Sequence, residues 1–233
     1  MRRSVMLIAS GLLVCCTAEY SAGAAAESST RASAEQVTLK GLPGPLEWLN
    51  APAGWHIDNG GSLKIQAAKQ TDWFVDPFNG ETHKNAPILL FSPAKDFVFS
   101  AQVKVTFKTK WDAGALMLWA DERRWAKLSF ELSPKNEPTM VTVVTRGFSD
   151  DCNSIAVRGD TVYLQIAKSG PAYVFYSSED GKDWHILRVF ELGDGPEPRV
   201  GLEAQSPAGR GAEVTFTNIR YEARKIGDVY SEP

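Results

Sequence analysis

Between Trp119 and Asp151 the sequence gathers side chains that can hold a polar ligand together: Trp119, Trp125, Lys127, Glu131, Arg146, Asp150 and Asp151. A flat aromatic ring stacks on the apolar face of a pyranose, and Arg and Asp make paired hydrogen bonds to its hydroxyls. In such a site Trp125 would stack, Arg146, Asp150 and Asp151 would hydrogen-bond, and Lys127 and Glu131 would orient the ligand. The same charges admit a plainer arrangement. Lys127, Glu131, Arg146 and Asp151 can neutralise one another in a salt-bridge network that closes a sheet edge. Residue types alone leave both open.

The elements that must position these groups are strands. From Trp125 onward Ala126, Leu128, Phe130 and Leu132 fall on one face, and Trp125, Lys127, Ser129 and Glu131 on the other. A period of two predicts a half-buried strand, with the second set on its open side. Val141 to Arg146 is a β-branched strand that delivers Arg146 to a polar loop, Ser149 to Asn153. Trp119 depends on the turn. If the hairpin pairs Asp121 with Arg124, Trp119 points away from the Trp125 face; a three-residue turn puts both rings on one face.

Other chemistries find less support. Asp150, Asp151 and Asn153 are hard oxygen donors suited to Ca²⁺, but Asp and Asn also dominate ordinary turns, and three donors are too few for a full shell. No other cofactor is expected. His56, His83 and His185 lack zinc-ligand spacing, and His83 sits in a Gly- and Asn-bearing loop. Nothing beside Cys152 signals an activated thiol. Gly193, Gly195 and Gly201 precede no helix, so they form no phosphate loop.

The whole chain sets the bounds. It has 233 residues, 23% charged and 43% hydrophobic, with a formal net charge of −3. Lys and Arg are scattered, which excludes the basic face a nucleic-acid binder needs. Residues 1–26 read as a signal peptide: Arg2 and Arg3, an apolar run from Val5 to Val14 too short to span a bilayer, then Ala24-Ala25-Ala26. A twin-arginine route and lipidation at Cys15 or Cys16 fit the flanking residues less well. The expected protein is exported, periplasmic or extracellular, with no membrane span. Cleavage leaves Cys152 alone, so no internal disulfide can form and the fold must rest on its core.

Residues 27–38 are small and polar, a flexible leader, and the domain is expected over 39–225 with a tail at 226–233. Trp48 and Trp55 fall in a Pro/Gly-punctuated segment and read as buried anchors. Phe97 to Phe107 alternates throughout, with Val98 the only exception. Strands follow at 113–120, 125–132, 140–146, 162–168, 172–177, 184–191, 200–205 and 212–221, and no helical period survives ten residues. Short strands with regular turns predict an all-β antiparallel sandwich or barrel in one domain.

Several motifs recur in the order of a known family. They are Asp112-Ala113-Gly114-Ala115-Leu116-Met117, Arg124 to Glu131, Val143 to Asp151, Ser178 to Trp184, and Val200 to Pro207. The chain resembles domain-of-unknown-function family 1349, which includes the fungal regulation-of-enolase protein, over about Leu46 to Tyr221. The resemblance implies a concanavalin A-like jelly roll, two antiparallel sheets with the inner one curved around a concave face. In that superfamily this face holds sugars, for hydrolysis or for binding alone.

Hydrolysis needs two carboxylates flanking the scissile bond, about 5 to 10 Å apart. The Glu-x-Asp-x-x-Glu strand of concanavalin-fold glucanases is absent, and Glu131 would need a partner from Asp150, Asp151, Glu122 or Asp121. The expected function is therefore lectin-like binding of a carbohydrate or similar polar ligand on the concave face. A glycan-cleaving enzyme using Glu131 and a protein-interaction module are the alternatives.

Overall fold

A computed structural model describes residues 37–231. The expected signal peptide, residues 1–26, and most of the expected leader lie outside the described residues. Short strands open the domain: β1 (Glu47–Leu49), β2 (Gly54–Ile57), β3 (Leu63–Ala68), β4 (Trp73–Val75), β5 (Thr82–Lys84) and β6 (Ile88–Phe91). Longer ones follow: β7 (Phe97–Val105), β8 (Ala113–Asp121), β9 (Arg124–Leu132), β10 (Pro138–Arg146) and β11 (Phe148–Ala156). The last are β12 (Thr161–Ser169), β13 (Ala172–Ser178), β14 (His185–Phe190), β15 (Arg199–Gln205) and β16 (Gly211–Glu222).

They form two seven-stranded sheets, in the orders β1-β6-β15-β8-β9-β10-β11 and β14-β13-β12-β7-β16-β3-β2, with β4–β5 a separate hairpin. Every pairing is antiparallel. This is a concanavalin A-like jelly-roll β-sandwich. No helix among the described residues is long and apolar enough to cross a membrane.

Alternation explains the layers. Phe97, Phe99, Ala101, Val103 and Val105 point from β7 into one core with Leu116, Leu118, Leu128 and Phe130 of the facing sheet. Each large apolar side chain buried there stabilises the fold by about 1.5–3 kcal/mol, and Cys152 is free. Gly114 lets β8 approach the other sheet: a Cβ there would lie 2.4 Å from Val214 Cγ1 and 2.7 Å from Val103 Cγ1. Trp48 and Trp55 pack 5.7 Å apart against this core as partly buried anchors.

Both outer faces are partly covered. On the second sheet Val98, Ala167, Val174 and Tyr176 cluster with Ile226, which is buried, and Tyr176 Oη donates to Val229 O at 2.8 Å. That accounts for Val98 breaking its strand's alternation. Within the expected tail, Ile226 and Val229 pack on this sheet. On the first sheet the cover is the β4–β5 hairpin with its flanks.

Candidate functional site

The outer face of the first sheet carries the candidate residues in a lattice set by register. Trp119 lies opposite Trp125, Met117 opposite Lys127, Lys127 opposite Val143, and Val143 opposite Asp151. Asp121 does pair with Arg124, but the register shifts between Trp119 and Asp121, so both tryptophans share the outer face. A bulge changes the facing of every residue beyond it.

Residues 70–86 lie across this face as a strap. Gln70 N donates to Ser206 O at 2.9 Å, Ser206 N to Thr71 O at 3.2 Å, and Val75 N to Ser149 Oγ at 2.9 Å. Trp73 Nε1 donates to Ala86 O at 2.9 Å, and its ring stands edge-on to Trp119 at 6.5 Å and Trp125 at 6.0 Å. The expectation that Trp125 stacks on a ligand is thereby corrected: its ring is fully buried. Trp73 takes the place a sugar would occupy, because a strand's alternation names a face and not what covers it. Trp119 is half-buried beside it, with the Arg199 guanidinium 5.2 Å over its ring.

Beyond the tryptophans the face opens into a groove of about 520 Å³, within the range of ligand clefts. Its wall on the strap side is Asp72, Phe74 and Asp76, with His83 behind. Lys127, Glu131, Val141, Val143, Asp151 and Gln205 form the sheet side, and Trp111, Pro207 and Ala208 the rim. On the floor Lys127 Nζ donates to Asp72 Oδ1 at 3.0 Å and to Gln205 Oε1 at 2.6 Å. Gln205 Nε2 in turn donates to Trp111 O at 3.1 Å and reaches Glu131 Oε2 at 3.5 Å. Lys127, Gln205 and Glu131 are all buried.

The electrostatics follow from burial. Loss of water disfavours the Lys127 ammonium, but the carboxylates of Asp72, Glu203 and Glu131 outweigh it and raise its pKa. Burial pushes the Glu131 carboxyl up to about 8; Lys127 opposes this, while Asp72, Asp151 and Glu203 add to it. Glu203 is also pushed up to about 8, by burial first and with Lys127 again opposing. Its two oxygens are buried and accept from no donor among the described residues. Asp151 is raised in the same direction by burial.

The remaining expected residues go elsewhere. Ser149 to Asn153 is strand β11, not a loop, because Gly147 at φ 91° makes a tight turn after Arg146. Asp151 faces the groove with Ser149, while Asp150 is sent to the opposite side. There Asp150 Oδ2 pairs with Arg188 of the second sheet at 2.8 Å, closing the sandwich edge. Asp150 and Asp151 therefore face opposite sides of the sheet, and no group of three His, Cys, Asp or Glu side chains that could hold a metal ion occurs among the described residues. Arg146 is exposed at the far end of β10 and does not line the groove. Cys152 is exposed on β11.

Asp72, Phe74, Trp111, Gln205 and Glu203 belong to the site without having been singled out by sequence. A signal existed for two of them. In Val200 to Gln205, Leu202 and Ala204 point to the core, so Glu203 and Gln205 must point out. Nothing local marks Asp72 as the partner of Lys127, 55 residues away. Trp111 holds φ 68°, sparsely populated for a bulky side chain, and is 43% exposed at the rim.

The family described as "Protein of unknown function (DUF1349)" matches residues 48–224, and the chain belongs to it. The chain is 25% identical over 173 residues to "Regulation of enolase protein 1" of Saccharomyces cerevisiae, covering 73% of this chain and 85% of that protein. Among solved structures it is similar to a functionally unknown protein from Saccharomyces cerevisiae, at TM-score 0.71 and 23% identity, covering 77% of this chain and 96% of that one. It is also similar to the GH43 protein BlXynB of Bacillus licheniformis, at TM-score 0.60 and 17% identity, covering 77% of this chain but 37% of that one. At that identity the likeness is one of fold.

Proposed function

We propose that this domain binds a carbohydrate or a similar small polar ligand in the groove between the strap and β9–β11. The observation that carries this is the hydrogen-bonded floor Asp72–Lys127–Gln205–Glu131, lying beside the exposed ring of Trp111. Trp111 and Phe74 supply apolar surface for a sugar ring, and the floor and Asp151 supply donors and acceptors. Residues 1–26 would export it to where glycans are met. The test is a glycan array of the protein beginning at Glu27 beside a Trp111→Ala copy, with calcium and with chelator. Binding by the parent that weakens in Trp111→Ala supports the groove. Silence from the parent on every glycan sinks it and directs the search to protein partners.

A second reading, glycan cleavage, is favoured by one observation. Burial keeps the Glu131 carboxyl protonated near neutral pH, the state of a general acid, in a groove that Asp72 and Asp151 also line. Loss of turnover with retained binding in Glu131→Gln would support it. A parent that binds glycans and cleaves none of them would end it.

A further inference from the structure

We propose that the groove selects glycans whose sugars carry a free, protonated amine, such as deacetylated hexosamine oligomers, and excludes uronates. This rests on the carbohydrate reading and names its ligand class. Four carboxyl-bearing side chains line the groove, Asp72, Asp76, Glu131 and Asp151, against a single lysine, Lys127. That lysine is already engaged: Asp72 and Gln205 take its ammonium hydrogens at 3.0 and 2.6 Å. His83 turns to Glu81 at 3.3 Å. Among the described residues no cationic side chain lies within ion-pair distance of Asp76, Glu131 or Asp151; the lysine and arginine pairs nearby go to Asp72 and Asp150.

A second, independent feature points the same way. Glu203 stands on this face two residues from Gln205, fully buried, and both its carboxyl oxygens lack a donor among the described residues. It adds to the neighbouring carboxyls that, with burial, push Glu131 toward its protonated form. An ammonium entering beside Glu131 and Asp151 would meet two carboxyls with no cationic partner among the described residues, and charge-assisted hydrogen bonds to it would favour their deprotonated forms. A uronate carboxylate would find no free cation in the groove to hold it, because Lys127 is already paired. Because Glu131 and Asp151 are held toward their protonated forms by burial, binding of the amine should release protons to solvent.

The experiment is calorimetric titration of the folded domain at pH 6, where the sugar amine carries its proton, with glucosamine, N-acetylglucosamine and glucuronate oligomers of equal length. Two buffers of different ionisation enthalpy measure proton release. The amine form should bind about tenfold tighter or more than the acetylated form, the worth of one charge-assisted hydrogen bond, with protons released and no uronate binding. Asp151→Asn should reduce that preference toward unity, and Glu131→Gln should do the same; Asp151 is the less buried, so its variant keeps the test alive if Glu131→Gln fails to fold. Equal affinity for amine and acetylated forms, or binding of the uronate, overturns the charge selection while the carbohydrate reading stands. Silence toward all three, in a protein that binds a simple diamine, overturns the sugar and leaves a cation site.

Discussion

The outer face of the first sheet has two ends built from the same strands and finished in opposite ways. At one end Trp73, Trp119, Trp125 and Met117 pack into an apolar seal. At the other, Asp72, Lys127, Glu131, Asp151 and Gln205 surround an open groove. β9 passes through both, contributing Trp125 to the seal and Lys127 and Glu131 to the groove. The strap does the same in four residues: Trp73 and Val75 go down onto the sheet, while Asp72 and Phe74 face the groove. One period-two rule, applied to two crossing segments, makes both a plug and a wall. The seal holds the strap where Asp72 can meet Lys127, so the apolar end positions the polar one.

Breaking the seal tests that dependence most severely. Trp73→Ala removes a fully buried ring that touches two others, and should cost about 3–5 kcal/mol by denaturant titration. Ligand binding should fall with it, since Asp72 loses its placement. A stable Trp73→Ala protein that binds normally would show the two ends to be independent.

The polar end has its own signature in pH. Glu131 and Glu203 have folded pKa values of about 8 against an ordinary 4.5, so the folded state binds protons that the unfolded chain has released. Their contribution to stability is full below about pH 4.5 and is lost as pH rises through about 8. Each carboxyl contributes a fall of at most about 1.4 kcal/mol per pH unit within that window. Tm should therefore decline from pH 5 to pH 8, and Glu203→Gln should flatten the decline by about half. A parent Tm level across that interval would show that neither carboxyl is held protonated.

How much of this was legible follows the range of the interaction. The strands were legible because alternation is local: Phe97 to Phe107 and Trp125 to Leu132 read directly as strands, though β9, expected half-buried, is covered on both faces. The shared face of Lys127 and Glu131 was legible for the same reason, whereas Asp151 was read in a loop and reaches the groove from strand β11. The burial of Trp125 was not, because it depends on Trp73, which reaches it only through a strap fixed at Ser149 and Ser206. The shared face of Trp119 and Trp125 was undecidable from the turn, since a one-residue bulge overrode the hairpin pairing. Val98 was visible as a broken alternation, but its cover, Ile226, lies at the far end of the chain.

The finest comparison is between neighbours on β11. Asp150 and Asp151 are chemically identical and point to opposite sides of one sheet, so they separate edge closure from ligand contact. Asp150 is exposed and pairs with Arg188, an arrangement worth about 0–1 kcal/mol. Asp150→Ala should lower stability by no more than that and leave ligand binding unchanged. Asp151 has no ion pair among the described residues, and burial already disfavours its charge, so Asp151→Ala should leave stability near the parent's while weakening binding. Chemical denaturation and titration with a bound glycan, run on both variants, read the two effects separately. The reverse pattern, with Asp150→Ala abolishing binding and Asp151→Ala silent, would move the ligand from the strapped face to the sandwich edge.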